Sequence, residues 1–448
     1  MRYDEALSFL YSFVSYEQSG DWKYSSETFD LSGYRQLLSA LGNPQWSYRT
    51  VHIAGSDGKG SVAAMLATVL REAGLRVGLY TSPHLHDLRE RITIDGIWIP
   101  KRSLAAIVTT LREHLGVYGR TRRGFATFFD LLTAAAFVHF ARSKVDIAII
   151  ETGLGGRLDA TNVLKPEATI ITHLSLEHTD KLGNTLEKIA AEKLAIAHPG
   201  TPCLVAPQRH KILPFIRTWL RERNVPATFV QKKYVVESGS PQRNRRSVVV
   251  SGAGRRRQIT LNLLGSCQPE NAATVCATVD ALRERWHDNP RIGEESIGKG
   301  LRSTEWPGRL EILHGRKTGW PVTVVLDVAH TERGAASLRR SLAEVFGERP
   351  RVMVLGFLQG KNVLGIVRHL IRRGDTLVCT HAPSPRGIPV AELRGMLECR
   401  TQKDTTVEWC DNPSDALALA RESAGRDKLV VVAGSLYLVG HCREILLK

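Results

Sequence analysis

In Val51-His-Ile-Ala-Gly-Ser-Asp-Gly-Lys-Gly-Ser61 an apolar run meets a glycine-rich turn, and a helical pattern follows. Gly55, Gly58 and Gly60 let backbone N–H groups point at phosphate oxygens, Lys59 brings a mobile positive charge, and Ser61 can set a hydroxyl on Mg²⁺ at the start of a helix. These are the parts of a nucleoside triphosphate site. The spacing departs from the common phosphate loop, because Gly60 separates Lys59 from Ser61. Farther along, a β-type run at 145–150 leads into Glu151, and another at 168–172 leads into Leu174-Ser-Leu-Glu-His178. On its own Glu151 would read as a solvated strand end. A histidine at the equivalent edge of the neighbouring strand turns the two into a candidate metal pair, placed where ligands bind in open α/β sheets. Ser82, which closes the strand at 77–80, offers either a third oxygen ligand or an ordinary turn residue. Lys193, in a helical pattern at 186–197, reads as a surface lysine paired with a neighbouring Glu.

These side chains need elements to hold them. From about residue 50 to 172, strand and helix patterns alternate: a strand at 51–54, a helix at 61–73 with Val62, Met65, Leu66, Val69 and Leu70 at helical spacing, a strand at 77–80, two more helices, then the runs at 145–150 and 168–172. Compact β-branched runs are buried in parallel sheets, so the pattern predicts a doubly wound α/β domain with its P-loop-type turn after an early strand. Residues 226–263 read as a β-hairpin elaboration, broken by Ser238-Gly-Ser-Pro241 and by arginine-rich turns at 243–246 and 255–257. No aromatic residues are interleaved with those six arginines. They therefore read as a solvated hairpin tip and not as a nucleic-acid grip. Around Ser303-Thr-Glu-Trp-Pro-Gly308 the pattern resets, with strands at 322–326, 352–355, 376–380 and 429–432 separated by helices at about 334–346, 361–373, 390–399 and 413–423. The expectation is two domains, 1–305 with N-terminal helices and a Rossmann-like α/β domain at 306–448.

With 448 residues the chain can build two full cores. It carries 61 Lys plus Arg against 45 Asp plus Glu, a formal charge of +16, which favours an anionic partner without choosing among nucleotide, polycarboxylate, nucleic acid and membrane surface. Residues 1–17 include Asp4 and Glu5 and lack an unbroken apolar core, so they read as an amphipathic helix and not a signal peptide. No segment reaches the length of a membrane span. The seven cysteines, at 203, 267, 276, 379, 399, 410 and 442, form no C-x-x-C pair and read as reduced thiols of a cytoplasmic protein.

Read in order, these residues resemble the folylpolyglutamate synthases and dihydrofolate synthases of the wider Mur ligase superfamily. The turn at 55–61 is similar to that family's Gly-Thr-Asn/Lys-Gly-Lys-Gly-Ser/Thr. Thr81-Ser-Pro-His-Leu and Glu90-Arg-Ile resemble its folate-type blocks, and Glu151-Thr-Gly-Leu-Gly-Gly-Arg-Leu-Asp-Ala-Thr-Asn162 nearly repeats another. Glu177-His-Thr-Asp, Leu182-Gly-Asn-Thr, Ala191-Glu-Lys193 and Gly434-Ser-Leu-Tyr-Leu-Val-Gly440 complete a likeness that spans about residue 50 to 440. The resemblance implies ATP-driven amide formation: a pteroate or folate carboxylate becomes an acyl phosphate, and L-glutamate displaces the phosphate. It also implies roles. Ser61, Ser82 and Glu151 would hold one Mg²⁺ and Glu151 with His178 a second, while Lys193 matches a lysine that the family carbamylates. Asn271, Arg309, Asp327 and His330 would close over the nucleotide, and Thr127, Phe129 and Asp159 match positions lining the pteridine side. Partners would be ATP, L-glutamate and dihydropteroate or a reduced folate, with no nucleic acid and no membrane, and the working state a monomer.

Five positions depart from the family pattern. Asp57 sits inside the phosphate loop where Asn or Lys is usual, a carboxylate that phosphates disfavour unless a cation or an outward rotamer offsets it. Cys267 replaces a His, Val328 a Gly, and Thr331-Glu332 an Asn-Pro pair. No metal or phosphate position is lost. Two other readings compete: a peptidoglycan or cyanophycin-like Mur ligase, against which the Ser-Pro-His-Leu and Gly-Gly-Arg-Leu-Asp-Ala-Thr-Asn blocks argue, and a basic nucleic-acid-binding NTPase, which lacks an aromatic and basic platform.

Overall fold

The computed structural model describes residues 1–15, 24–25, 29, 31–118, 126–242, 244–287, 291–398 and 405–448. Arg243, Cys399 and residues 16–17 of the expected N-terminal helix lie outside them. Among the described residues the strands form three sheets. The first contains β1 (Arg49–Ala54), β2 (Val77–Tyr80), β3 (Ile92–Ile94), β4 (Ile97–Trp98), β5 (Ile147–Glu151), β6 (Ala168–Ile171), β7 (Cys203–Val205) and β8 (Ala227–Phe229) in the order β4-β3-β2-β5-β1-β6-β7-β8. All pairings from β2 to β8 are parallel, and β3 and β4 add an antiparallel edge.

That order corrects one expectation. Strands β5 and β6 are not neighbours, because β1 lies between them, with Ile53 pairing Glu151 on one side and Ile170 on the other. Alternation of elements along a sequence does not reveal which strands pair, since each crossover helix lets the chain return on either side of β1. The consequence helps the site. β1 sits at the topological switch point, where ligands bind in open α/β sheets, and Glu151 and the segment carrying His178 flank its phosphate loop.

Both faces of this sheet are covered, which is why β5 and β6 are buried at every residue. The helices Lys59–Glu72, Gln268–Arg285 and Glu294–Ser303 pack on one face, and Lys101–Tyr118 and Phe128–Arg142, with the N-terminal helices Tyr3–Tyr11 and Leu31–Ala40, pack on the other. At Gly300 an added Cβ would lie 2.5 Å from the Val69 Cα, so the helices Lys59–Glu72 and Glu294–Ser303 meet backbone to backbone.

The expected hairpin is a three-stranded antiparallel sheet, β9 (Tyr234–Ser238), β10 (Arg246–Gly252) and β11 (Arg255–Leu261), while β8 belongs to the main sheet. The solvated-tip reading also fails for two arginines. Arg246 and Arg257 are each 5% exposed, because strand alternation puts them on the same face as Val248, Val250, Ile259 and Leu261, which enter the core. Arg257 donates to both oxygens of the buried Asp280 at 2.7 and 3.0 Å and to Glu294 at 2.7 Å. Arg246 pairs with Glu344 and donates to the Leu264 carbonyl at 3.1 Å. Arg245, Arg255 and Arg256 are exposed as expected.

The third sheet comprises β12 (Glu311–Leu313), β13 (Val324–Leu326), β14 (Arg351–Leu355), β15 (Thr376–Thr380), β16 (Thr406–Cys410) and β17 (Leu429–Ala433), in the order β12-β13-β17-β14-β15-β16. It is parallel except for β12. Its faces carry the helices Glu332–Phe346, Val363–Leu370 and Val390–Leu397 on one side and Pro413–Ala424 and Leu436–Leu446 on the other. The edge strands β12 and β16 left no clear pattern in the sequence, being short or half-exposed.

Candidate active site

The phosphate loop is shaped by its glycines. At Gly55 a Cβ would fall 1.9 Å from Thr172 Oγ1 on the exit of β6, and at Gly60 one would fall 2.9 Å from the Trp306 ring. Gly58, with φ +90°, is the N-cap of the helix Lys59–Glu72 in a left-handed conformation that L side chains rarely adopt. The backbone N–H groups of Ser56 and Asp57 donate to the His173 carbonyl at 2.9 and 3.1 Å, which pins the loop to the exit of β6. Lys59 Nζ folds back onto the Gly55 carbonyl at 3.1 Å. Lys193 Nζ reaches the same carbonyl at 2.9 Å.

Lys193 is therefore no surface lysine. It is 2% exposed and donates to Glu177 Oε1 at 2.9 Å as well. Burial lowers its pKa, with Glu177 opposing. Burial by itself would raise Glu177, but Lys193, Lys59 and His178 hold its carboxyl well below the usual range. His178 begins the short helix Thr179–Leu182 with φ +47°. Its ring is reachable from solvent, yet the protein crowded around it depresses its pKa to about 4, against the pull of Glu177, so it is neutral near pH 7.

On the other side of β1, Glu151 closes β5 and is 3% exposed. Its Oε2 accepts one hydrogen bond, from the Ser82 N–H at 3.3 Å. Burial raises its pKa, while Lys59, Ser82, Arg309 and Arg91 act against that rise. The Ser82 segment is knotted by Glu90, whose carboxylate accepts the N–H groups of Leu85, His86 and Asp87 at 2.8 to 3.0 Å. It then docks on the second domain, where a Cβ at Gly440 would meet the Leu85 carbonyl at 2.4 Å.

Ser61 is buried, and Gln268 Nε2 lies 3.4 Å from its hydroxyl. Asn271 Nδ2 donates to Gln268 Oε1 at 2.9 Å, and Asn271 Oδ1 crowds the face of Gly58. From the second domain, Asp327 follows β13 and accepts the N–H groups of Leu310 and Ala329 at 2.8 and 2.9 Å. Burial raises its pKa, opposed by Arg309. The Nδ1 of His330 lies 2.9 Å from the Val328 carbonyl, which assigns the proton to Nδ1 and leaves Nε2 as an acceptor. Burial, aided by Lys361, lowers His330 to about 4. Thr331 caps the helix Glu332–Phe346 by accepting the Gly334 N–H at 3.0 Å, so this departure from the family pattern supplies a helix cap. Cys267 is exposed at the start of Gln268–Arg285, where its side chain makes no cap.

The three residues expected on the pteridine side differ in availability. Phe129 is half-buried, tilted against Tyr80 at 5.9 Å and lying over Gly153, where a Cβ would meet its ring at 2.5 Å. Thr127 spends its hydroxyl capping Phe128–Arg142. Asp159 is occupied too: Oδ2 accepts the N–H groups of Gly153 and Leu154 at 2.9 Å, and Oδ1 accepts the Thr161 N–H and hydroxyl at 3.0 and 2.5 Å. Its geometry is that of a clamp on the turn 153–161.

Glu177, Gln268 and Trp306 stand in the site although no role was read for them from the sequence. Glu177 had a signal in its place beside His178. The other two had none, because their relation to the loop is purely spatial.

The chain as a whole is similar to known proteins. A family model of the Mur ligase middle domain matches residues 53–279, and one of the Mur ligase glutamate ligase domain matches residues 308–436. The chain is 30% identical over 439 residues to the dihydrofolate synthase/folylpolyglutamate synthase of Bacillus subtilis, covering 96% of this chain and 99% of that one. The crystal structure of a folylpolyglutamate synthase from Thermotoga maritima superposes with a TM-score of 0.81 at 33% identity, covering 99% of this chain and 96% of the other. A Mycobacterium tuberculosis folylpolyglutamate synthase, solved with ADP and AMPPCP, gives 0.86 at 30% identity, covering 94% and 96%.

Proposed function

We infer the reaction from one premise: the chain belongs to the dihydrofolate synthase/folylpolyglutamate synthase family of Mur ligases. It is an ATP-dependent ligase that joins L-glutamate to a pteroyl acceptor. An ionised carboxylate resists attack by an amine, so the acceptor first takes the γ-phosphoryl group of ATP and ADP leaves. The amino group of glutamate then attacks the acyl carbon of the acyl phosphate, the C–O bond to phosphate breaks, a proton is released, and an amide remains. We place the boundary between the two cooperating domains near residue 305.

The observation that carries this reading is the convergence on one loop of Lys59, a buried Glu151 on one side and the Lys193–Glu177 pair on the other, with Lys59 acting electrostatically on both carboxylates. Lys59 would exchange the Gly55 carbonyl for a phosphate oxygen. Asn271, Arg309, Asp327 and His330 would complete the nucleotide site from both domains. The residue types suit Mg²⁺: the hydroxyls of Ser61 and Ser82 are hard oxygens, and the buried Glu151 carboxylate, which accepts the Ser82 N–H, gains from a cation. Ser61, Ser82 and Glu151 would hold one ion and Glu151 with His178 another, and such ions neutralise charge on a transferring phosphoryl group. The neutral state of His178 is the one a metal ligand needs. The exposed side of Phe129 would meet the pteridine, beside Thr127 and the turn that Asp159 clamps.

Lys193 would carry the carbamate. Burial favours its neutral amine, which takes up CO₂ by forming an N–C bond and losing a proton, and the new anion beside Glu177 would need a cation between them. Lys193→Ala is expected to lose at least tenfold in rate, and acetate in the buffer to restore part of it. A Lys193→Ala enzyme of normal rate rejects the assignment.

No helix among the described residues is long and apolar enough to cross a membrane. The working state is a cytoplasmic monomer, which light scattering would check by showing the mass of a single chain. The reaction itself is tested by ADP release from purified protein with Mg-ATP and L-glutamate, comparing dihydropteroate, tetrahydrofolate and no acceptor, with mass analysis of the product. Release that requires a pteroyl acceptor and adds one glutamyl unit supports the reading and separates the two activities. ADP release that neither acceptor stimulates overturns it.

A further inference from the structure

Asp57 is a carboxylate inside the phosphate loop, and its ionic partner comes from the other domain. Its backbone is fixed to the exit of β6 through the His173 carbonyl. Its Oδ2 accepts the Ser175 hydroxyl at 3.0 Å and lies 3.4 Å from Nε of Arg333. Arg333 stands in the first turn of Glu332–Phe346, three residues after His330. Arg209, Cys267 and Glu270 also lie within electrostatic reach of Arg333, and Glu270 is reached in turn by Arg340.

The pair does little for stability. Both side chains are 34% exposed, and an ion pair so open to water contributes little net free energy. Its importance lies in its position. A triphosphate bound by this loop meets the negative charge of Asp57, and the bond from Ser175 would be made as well by an amide oxygen. Lys193 reaches this charge only from beyond ion-pair distance, so among the described residues Arg333 is its ion-pair partner, and it arrives on the helix that follows Asp327 and His330. When the two domains separate, Asp57 is left beside the phosphates without it.

We propose that Arg333 is a positioning residue for the nucleotide, pairing with Asp57 so that triphosphate affinity depends on docking of the second domain onto the phosphate loop. The inference rests on the loop being the ATP site. Coupling of this kind is reciprocal, so bound ATP also favours the docked arrangement and loss of docking weakens the hold on ADP.

The test is calorimetric binding of ATP with Mg²⁺ to the full chain, to Arg333→Ala, to Asp57→Asn and to the double variant, each first checked for a native melting transition. Arg333→Ala is expected to weaken ATP about tenfold and Asp57→Asn to tighten it about threefold. In the Asp57→Asn background, Arg333→Ala should change affinity less than twofold, because the charge to be answered is gone. Arg333→Lys, which keeps the charge, should stay within threefold of the wild type and serves in place of Arg333→Ala, against Arg333→Gln, if the alanine variant does not fold. An equal loss in both backgrounds would mean that Arg333 meets the nucleotide itself or only supports the fold, and would overturn the proposal, as would no loss at all. Failure of the wild-type protein to bind ATP would overturn the ATP reading, and with it this role for Arg333, a result distinct from binding without coupling.

Discussion

Glu151 shows what a single residue contributes and what it costs. Burial raises its pKa above that of an unfolded chain, so the folded protein binds that proton more tightly. The sign follows: its destabilising effect is absent below the ordinary glutamate pKa and grows as pH rises toward the raised value. At pH 7.5 without ligand, Glu151→Gln is therefore expected to melt no lower than the wild type, while ADP release falls about 10³-fold or more through loss of several kcal/mol of charge stabilisation. Near-normal turnover in that variant would sink the metal assignment. The sequence pointed to Glu151 because a carboxylate after a β-branched run can be read locally. It misjudged Lys193, whose burial depends on Gly55 and Glu177, 138 and 16 positions away along the chain.

The clearest consequence at the scale of elements concerns the sheet β9–β11. Its face against Gln268–Arg285 carries an ion pair that is almost wholly buried, with Arg257 at 3% and Asp280 at 5% side-chain exposure, and Asp280 also receives the Tyr234 hydroxyl at 2.9 Å. Arg257→Ala leaves the buried Asp280 carboxylate with the Tyr234 hydroxyl and, as its ionic partner, the more exposed Arg255 at 3.4 Å, and is expected to cost about 3 kcal/mol in urea unfolding. The double change Arg257→Met/Asp280→Met should recover much of that, since apolar replacements of a buried pair are often tolerated. A loss below about 1 kcal/mol in Arg257→Ala would show that water reaches the pair. Charge counting in the sequence treated all six arginines of this region alike. Strand alternation separated Arg246 and Arg257 from the exposed ones, and it became decisive only when the register between β10 and β11 was fixed.

Across the whole molecule, several histidines are held neutral by the fold: His52 near pKa 3, and His139 and His330 near 4, each through burial. Their pKa values lie below that of an unfolded histidine, so the unfolded state binds more protons between about pH 6.5 and 4. Stability is fully present above that window and is lost as the pH falls through it. The melting temperature is expected to drop steadily from pH 7 to pH 4.5, and replacing the wholly buried His52 by Gln should flatten that slope. A melting temperature constant over that range would contradict the burial of these rings. Mg-ATP should raise the melting temperature at neutral pH, since a ligand that binds only the folded chain stabilises it.

The sequence by itself determined what depends on neighbours in the chain. The phosphate loop needs glycines, a lysine and a hydroxyl within a few residues, and periodicity marks helices and buried strands over one or two turns. Those local signals carried the two α/β units and the early loop, and they named the candidate residues proposed for the site. Only the tertiary structure decided that β1 separates β5 from β6, that Lys193 is buried beneath the loop, that Asp159 clamps a turn, and that Asp57 is answered by Arg333. Each of these rests on contacts between residues far apart in the chain. Burial and ion pairing are set by which surfaces close on one another, and that choice is made by the packing of whole elements, not by any short stretch of sequence.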